Sequence, residues 1–200
     1  MMATGQGADG RLRCAWCLGH PLYVDYHDQE WGWPVTDDRR LFEKISLEAF
    51  QAGLSWFTIL KKRDSFRAAF ADFDFDRVAR FDEGDVQRLL QDAAIVRHCG
   101  KIEAVIHNAA RAVEMVQQEG SLSAFFWRFA PPQASDGIEV LAQTPESQAM
   151  SKALKQRGWK FVGPTTCYAF MQSMGMVNDH AAECFLRAQV AKHVRPHGST

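Results

Sequence analysis

The chain has 200 residues, enough for a sizeable core in one or two domains, and its 46% hydrophobic and 24% charged content is that of a globular protein, not a disordered or fibrous one. A formal net charge of -1 neither suggests nor excludes a nucleic-acid partner, because phosphate binding needs a local basic surface and not a basic total. No apolar run approaches the roughly 18 residues of a membrane helix, and the first ten residues carry no basic region leading into a hydrophobic one, so a cytoplasmic protein without a membrane partner is expected.

In chain order, residues 1–10 read as a loose polar tail. The aromatic stretch CAWCLGHPLYVDYHDQEWGWP follows, and its glycines and prolines suggest a loop. Thr36 or Asp37 caps a helix carrying Leu41, Phe42, Ile45, Ala49 and Ala52, which stops near Gly53. Ser55 caps the next, with Trp56, Ile59, Leu60, Phe66 and Phe70. Asp82 with Asp85 opens a helix through Val86, Leu89 and Leu90, and a short break spans Ile95–Gly100. A long helix from Lys101 to Glu119 ends at Gly120. Ser121–Phe129 is a short helix, residues 131–143 a surface connection, and Thr144-Pro145 opens a helix ending at Gly158. Pro164–Met174 and Asp179–His193 complete an all-α reading, with a polar tail at 194–200.

Five scattered cysteines, Cys14, Cys17, Cys99, Cys167 and Cys184, do not form a disulfide framework. On the last expected helix, His180 and Cys184 stand four residues apart on one face, the spacing of half a metal site. Cys14 and His27 can supply the other half, and two thiols with two imidazoles are a closed tetrahedral set for zinc. Cys17 competes, since Cys14-x-x-Cys17 can also hold zinc or act as a redox pair. The plainer alternative is a buried thiol beside a surface imidazole.

Five of the nine Trp and Tyr residues, Trp16, Tyr23, Tyr26, Trp31 and Trp33, crowd into the N-terminal stretch. Aromatics of this kind can stack a flat ligand such as a nucleobase, or cover an exposed core edge. Glu48 shares a helix face with Leu41, Ile45 and Ala52, which turns it inward, where a carboxylate is either paired to Arg or Lys or used. Trp56, just past the Gly53 turn, can face the same cavity. The connection around Arg97, Gly100 and Lys101 joins two helices, and backbone N–H groups at the start of the second can receive a phosphate. The basic runs Lys61-Lys62-Arg63 and Lys152, Lys155, Arg157, Lys160 extend such a surface or simply keep helices soluble.

Together RCAWC, YVDYHDQEWG, LEAFQAGLSWFTILKKR, IVRHCGKI, ALKQRGWKFVGPTTCYAFMQSMGMVNDH and the final Cys184 resemble DNA-3-methyladenine glycosylase I, a zinc-containing branch of the helix-hairpin-helix DNA glycosylases. The resemblance covers about Arg13 to Cys184. It implies one glycosylase unit over residues 11–193, with the helix-hairpin-helix part at about 36–130 and a zinc-stapled part formed by about 11–35 with 144–193. It implies a monomer with one structural zinc held by Cys14, His27, His180 and Cys184. Glu48 would hydrogen-bond the extruded base, Trp56 would stack on it, Tyr23, Tyr26, Trp16 and Trp31 would line the pocket, and Arg97, Gly100 and Lys101 would grip the backbone of double-stranded alkylated DNA. The implied activity is monofunctional release of free 3-methyladenine. Asp179 is a weaker candidate for directing water. A zinc-stapled helical module that binds DNA without cutting it is the alternative, and a thiol redox protein using Cys14 and Cys17 is a third reading.

Overall fold

A computed structural model describes residues 3–131 and 141–193 of the chain. The surface connection expected at 131–143 falls mostly outside them, as does the tail at 194–200. Among the described residues the protein is mostly helical, and no helix is long and apolar enough to cross a membrane. Two short strands qualify the all-α expectation. β1 (Thr4–Gln6) pairs antiparallel with β2 (Leu12–Cys14), so part of the expected N-terminal tail is held in a hairpin.

The N-terminal aromatic stretch is also not a plain loop. A 3₁₀ turn at Ala15–Cys17 leads into α1 (Pro21–Gln29). His20 accepts a hydrogen bond from the Leu22 amide at this helix start, and Pro21 occupies the first turn, where its missing N–H costs nothing. Helix α2 (Asp38–Gln51) is capped by Asp37, which accepts from the Arg40 amide. The run expected after Ser55 divides at Lys62 into α3 (Trp56–Lys61) and α4 (Arg63–Ala69). A one-turn α5 (Phe75–Val78) follows, then α6 (Glu83–Gln91), opened by a reciprocal Asp82–Asp85 capping box.

Helix α7 (Cys99–Glu119) is the longest and ends at Gly120, whose positive φ closes the last turn. Helices α8 (Leu122–Phe126), α9 (Pro145–Gln156) and α10 (Pro164–Ser173) complete the body. The helix expected over Asp179–His193 is mostly irregular, and only α11 (Arg187–Ala191) is helical.

The main core is built on phenylalanine: Phe42, Phe50, Phe66, Phe70, Phe73, Phe125, Phe126 and Phe170 are fully buried. A second, smaller cluster gathers Cys14, Tyr26, Trp31, Leu60, Ala181, Cys184 and Leu186 where the two chain ends meet. Trp56 packs against both clusters. Two glycines make that meeting possible. A Cβ on Gly32 (φ 82°) would stand 2.5 Å from His180 Cε1, and one on Gly175 (φ 70°) would stand 2.5 Å from the backbone of Trp33 and Pro34.

Candidate active site and metal centre

The hairpin, α1 and the irregular 174–186 segment bring four candidate ligands together. Cys14, His27 and Cys184 are buried with their ligand atoms within 4.8 Å of one another. Each histidine has one ring nitrogen spoken for. His27 Nδ1 lies 2.8 Å from Asp28 Oδ1, itself gripped by Arg13, and Nε2 is left 3.5 Å from Cys184 Sγ. His180 Nδ1 lies 3.0 Å from Asn178 Oδ1, while its buried Nε2 has no hydrogen-bond partner. Its ring centroid is 5.2 Å from that of His27.

An orphaned buried nitrogen costs free energy unless something else binds it. The donor chemistry fits a soft divalent ion such as zinc, with second partners fixing both rings in the manner of metal-binding histidines. Charge points the same way. A hydrogen bond from the Cys14 thiol, aided by His27, pulls Cys184 down to about 4, and burial holds His180 down to about 4, so a thiolate and a neutral imidazole face the centre. His27 is raised to about 10: burial opposes its charge, but Cys17, Cys184 and Asp28 favour it more strongly. A metal ion would replace that proton. Cys17 is fully buried and close enough to influence His27, but it is outside the cluster of mutually close ligand atoms.

Beside this cluster lies a cavity of about 280 Å³ lined by Trp16, Tyr23, Tyr26, Trp31, Glu48, Gln51, Trp56, Leu141, Ala169 and Gln172. All six expected pocket residues therefore meet in one place. Trp16 contacts Tyr23 edge-on at 5.6 Å and Trp31 at 5.2 Å, and Tyr26 lies 5.3 Å from Trp56. Glu48 is 5% exposed and pairs with Lys44 Nζ at 2.8 Å, so it is at once the buried ion pair and the cavity-lining carboxylate.

The connection between α6 and α7 is a turn of seven residues followed by Gly100 in the first turn of α7, capped by His98 Nδ1, which accepts from the Lys101 amide. Arg97 is exposed there. Lys101 is not available to a phosphate. Its side chain is buried, and Nζ donates to the Phe50 carbonyl at 2.8 Å and the Ala52 carbonyl at 2.5 Å, closing the C-terminus of α2. Lys62 is similarly spent on the carbonyls of Ala93 and Ala94, and Arg63 on both oxygens of Glu30.

A family model described as methyladenine glycosylase matches residues 16–187. The chain belongs to the methyladenine glycosylase family. It is 51% identical over 177 residues to DNA-3-methyladenine glycosylase 1 of Escherichia coli K12, spanning 86% of this chain and 95% of that protein. A crystal structure of a 3-methyladenine DNA glycosylase I superposes with a TM-score of 0.83 at 52% identity, covering 86% of this chain and 98% of the other. The Staphylococcus aureus enzyme, solved to explain its recognition of 3-methyladenine, superposes at 0.82 with 35% identity, covering 88% of this chain and 96% of its own.

Three features of this methyladenine glycosylase depend on tertiary packing. Gln51 lines the cavity one turn after Glu48, a spacing that was visible, whereas Ala169 and Gln172 come from α10, distant in sequence. Asp179 is buried beneath the cavity, accepting from Tyr168 Oη at 2.5 Å and Gln172 Nε2 at 2.8 Å, so it braces a lining residue. The third is Lys44, which precedes Glu48 by four residues; the i,i+4 pair was legible, its position against two aromatic rings was not.

Proposed function

We infer that this chain is a repair glycosylase that hydrolyses the N-glycosidic bond of 3-methyladenine in alkylated DNA. The carrying observation is the convergence of Glu48 and Trp56 with four N-terminal aromatics on one cavity, in a chain 51% identical to a DNA-3-methyladenine glycosylase.

A base paired and stacked inside a duplex cannot reach these side chains, so the target nucleotide must leave the duplex, at a cost of a few kcal/mol that damage reduces. Methylation at N3 makes adenine a cationic leaving group. Departure of the base takes the electron pair of the glycosidic bond and cancels that charge, and water completes the hydrolysis at the sugar. Trp56 and Tyr26 offer ring faces, Tyr23, Trp16 and Trp31 close the sides, and Glu48 offers a hydrogen-bond acceptor to the base edge.

For DNA, the α6–α7 hairpin supports a helix-hairpin-helix grip on double-stranded backbone through the exposed Arg97 and the amides around Gly100. Lys101 contributes by fastening the hairpin to the loop after α2. Leu54, 43% exposed on that loop, is an apolar side chain suited to fill the gap left by the flipped nucleotide.

Cys14, His27, His180 and Cys184 would hold zinc, which with four protein ligands supplies a cross-link and no bound water. Those ligands join the hairpin and α1 to the 174–186 segment, fixing Tyr23 and Tyr26 against α2. The test is incubation with methylated duplex DNA: free 3-methyladenine is the expected product, and DNA binding without base release favours a non-catalytic module.

A further inference from the structure

Arg13 stands on β2 immediately before Cys14, and its side chain is only 5% exposed. Its guanidinium spans two carboxylates. Nη1 and Nη2 donate to the two oxygens of Asp9 at 2.6 and 2.7 Å, while Nε and Nη2 donate to Asp28 at 3.0 and 2.8 Å. Asp28 in turn lies 2.8 Å from His27 Nδ1. An ionised carboxylate can only accept, so Nδ1 carries a proton and Nε2 is the nitrogen left to face Cys184. A continuous line of contacts therefore runs from the turn of the N-terminal hairpin, through Asp9, Arg13 and Asp28, to a candidate ligand atom.

The same guanidinium reaches the other side of the centre. It lies 5.1 Å from the ring centroid of Phe185, the residue after Cys184, and the Phe185 amide donates to the Leu12 carbonyl at 2.9 Å. Thr4 on β1 donates to Glu183, the residue before Cys184, at 3.1 Å. Arg13 thus adjoins Cys14 in sequence and touches the neighbours of His27 and Cys184 in space. Gly7 in the hairpin leaves room for it, since a Cβ there would collide with Arg13 Nη1. Asp9 and Arg13 both precede the residues 16–187 that the family model matches.

We propose that Arg13 is a positioning residue for the metal centre and that the hairpin acts through Asp9 as its clasp, the two holding Asp28, and with it the His27 ring, ready for the ion before the ion binds. The inference rests on the reading of Cys14, His27, His180 and Cys184 as a metal centre. A ring already fixed gives up little freedom on binding, so the clasp raises affinity and slows loss of the ion. An ammonium in place of the guanidinium is a point charge and cannot grip two carboxylates in one plane.

The experiment starts from the full-length zinc-loaded chain and follows transfer of zinc to a chelator of known affinity. After exchange with cobalt, the ligand-field absorption reports the donor set directly. Arg13→Met is expected to weaken zinc binding by about 10- to 100-fold, and Asp9→Ala by about tenfold, because Arg13 then holds Asp28 without its clasp. The cobalt spectrum of Arg13→Met should change as His27 loosens. Arg11→Met removes the other guanidinium beside Phe185 and Asp9 and is expected to bind zinc like the wild type. A zinc affinity and cobalt spectrum unchanged in Arg13→Met, whatever its melting temperature, make the residue a brace of the fold only and overturn the proposal. Should Arg13→Met not fold, the same result in Asp9→Ala overturns it. Failure of the wild type to bind either metal overturns the metal-centre reading and this proposal with it.

Discussion

His27 Nε2 lies 3.5 Å from Cys184 Sγ although 157 positions separate the two residues. That approach closes the protein on itself, and α1, which carries His27, also carries Tyr23 and Tyr26 into the base cavity. Metal binding and pocket shape are therefore one structural question.

One zinc per chain is expected, retained in Cys17→Ser and lost in Cys184→Ser, with metal analysis of the purified variants as the check. Loss on Cys17→Ser and retention on Cys184→Ser would transfer the site to the Cys14–Cys17 pair.

Gly32→Ala tests the same junction through the backbone. A side chain at φ 82° and 2.5 Å from His180 Cε1 has no room, so a loss of about 1–3 kcal/mol is expected in denaturant melts, together with weaker metal retention. A variant as stable as the wild type would show that the 174–186 segment moves freely.

Much of this arrangement was legible in the sequence, and the failures have physical causes. Helix α2 was clear because Asp37 caps it and its apolar positions keep one period. Helix α1 was missed because Pro21 and Gly19 read as breaks, whereas proline at a helix start is favourable. His180 and Cys184 do share one segment at the junction of the chain ends, but the helical spacing that singled them out is absent. They are not on a helix; side-chain to backbone bonds, Asn178 to the His180 amide and Arg187 to the Asn178 and His180 carbonyls, hold that segment instead. Lys101 misled because its partners, 49 and 51 positions away, are set only by tertiary packing.

Lys101 and Arg97 should accordingly separate. Lys101→Met is expected to cost about 1–3 kcal/mol of stability, since the carbonyls of Phe50 and Ala52 at the end of α2 lose a charged donor. Arg97→Ala should leave stability unchanged and reduce the salt slope of DNA binding by about 1. Unaltered melting of Lys101→Met with weakened DNA binding would return Lys101 to the phosphate-binding role.

Glu48→Gln should keep the acceptor geometry but remove the charge, weakening 3-methyladenine binding by about tenfold, the worth of one charged hydrogen bond. It also leaves Lys44 without its carboxylate, so a lower melting temperature is expected alongside. Tryptophan fluorescence titration and thermal melts read the two effects separately; full base affinity in the variant would remove Glu48 from recognition.

Glu119 offers an acid-sensitive contact between α7, Arg128 and Arg157. Its hydrogen bond with Arg128, then that with Arg157, holds its carboxyl below the ordinary value of 4.5. A carboxyl lowered on folding contributes stability above its ordinary value and loses it as pH falls through the folded one. Glu119→Gln should melt lower than the wild type at pH 7, with the gap closing below pH 4.5. A gap that stays constant down to the acid limit would show that the charge is not what matters.

The most direct test of the whole account is quantitation of free bases released from methylated duplex DNA by the purified wild-type chain, beside Glu48→Gln. The account predicts 3-methyladenine released by the wild type and released far more slowly by the variant. DNA binding by the wild type with no 3-methyladenine in the supernatant would contradict it.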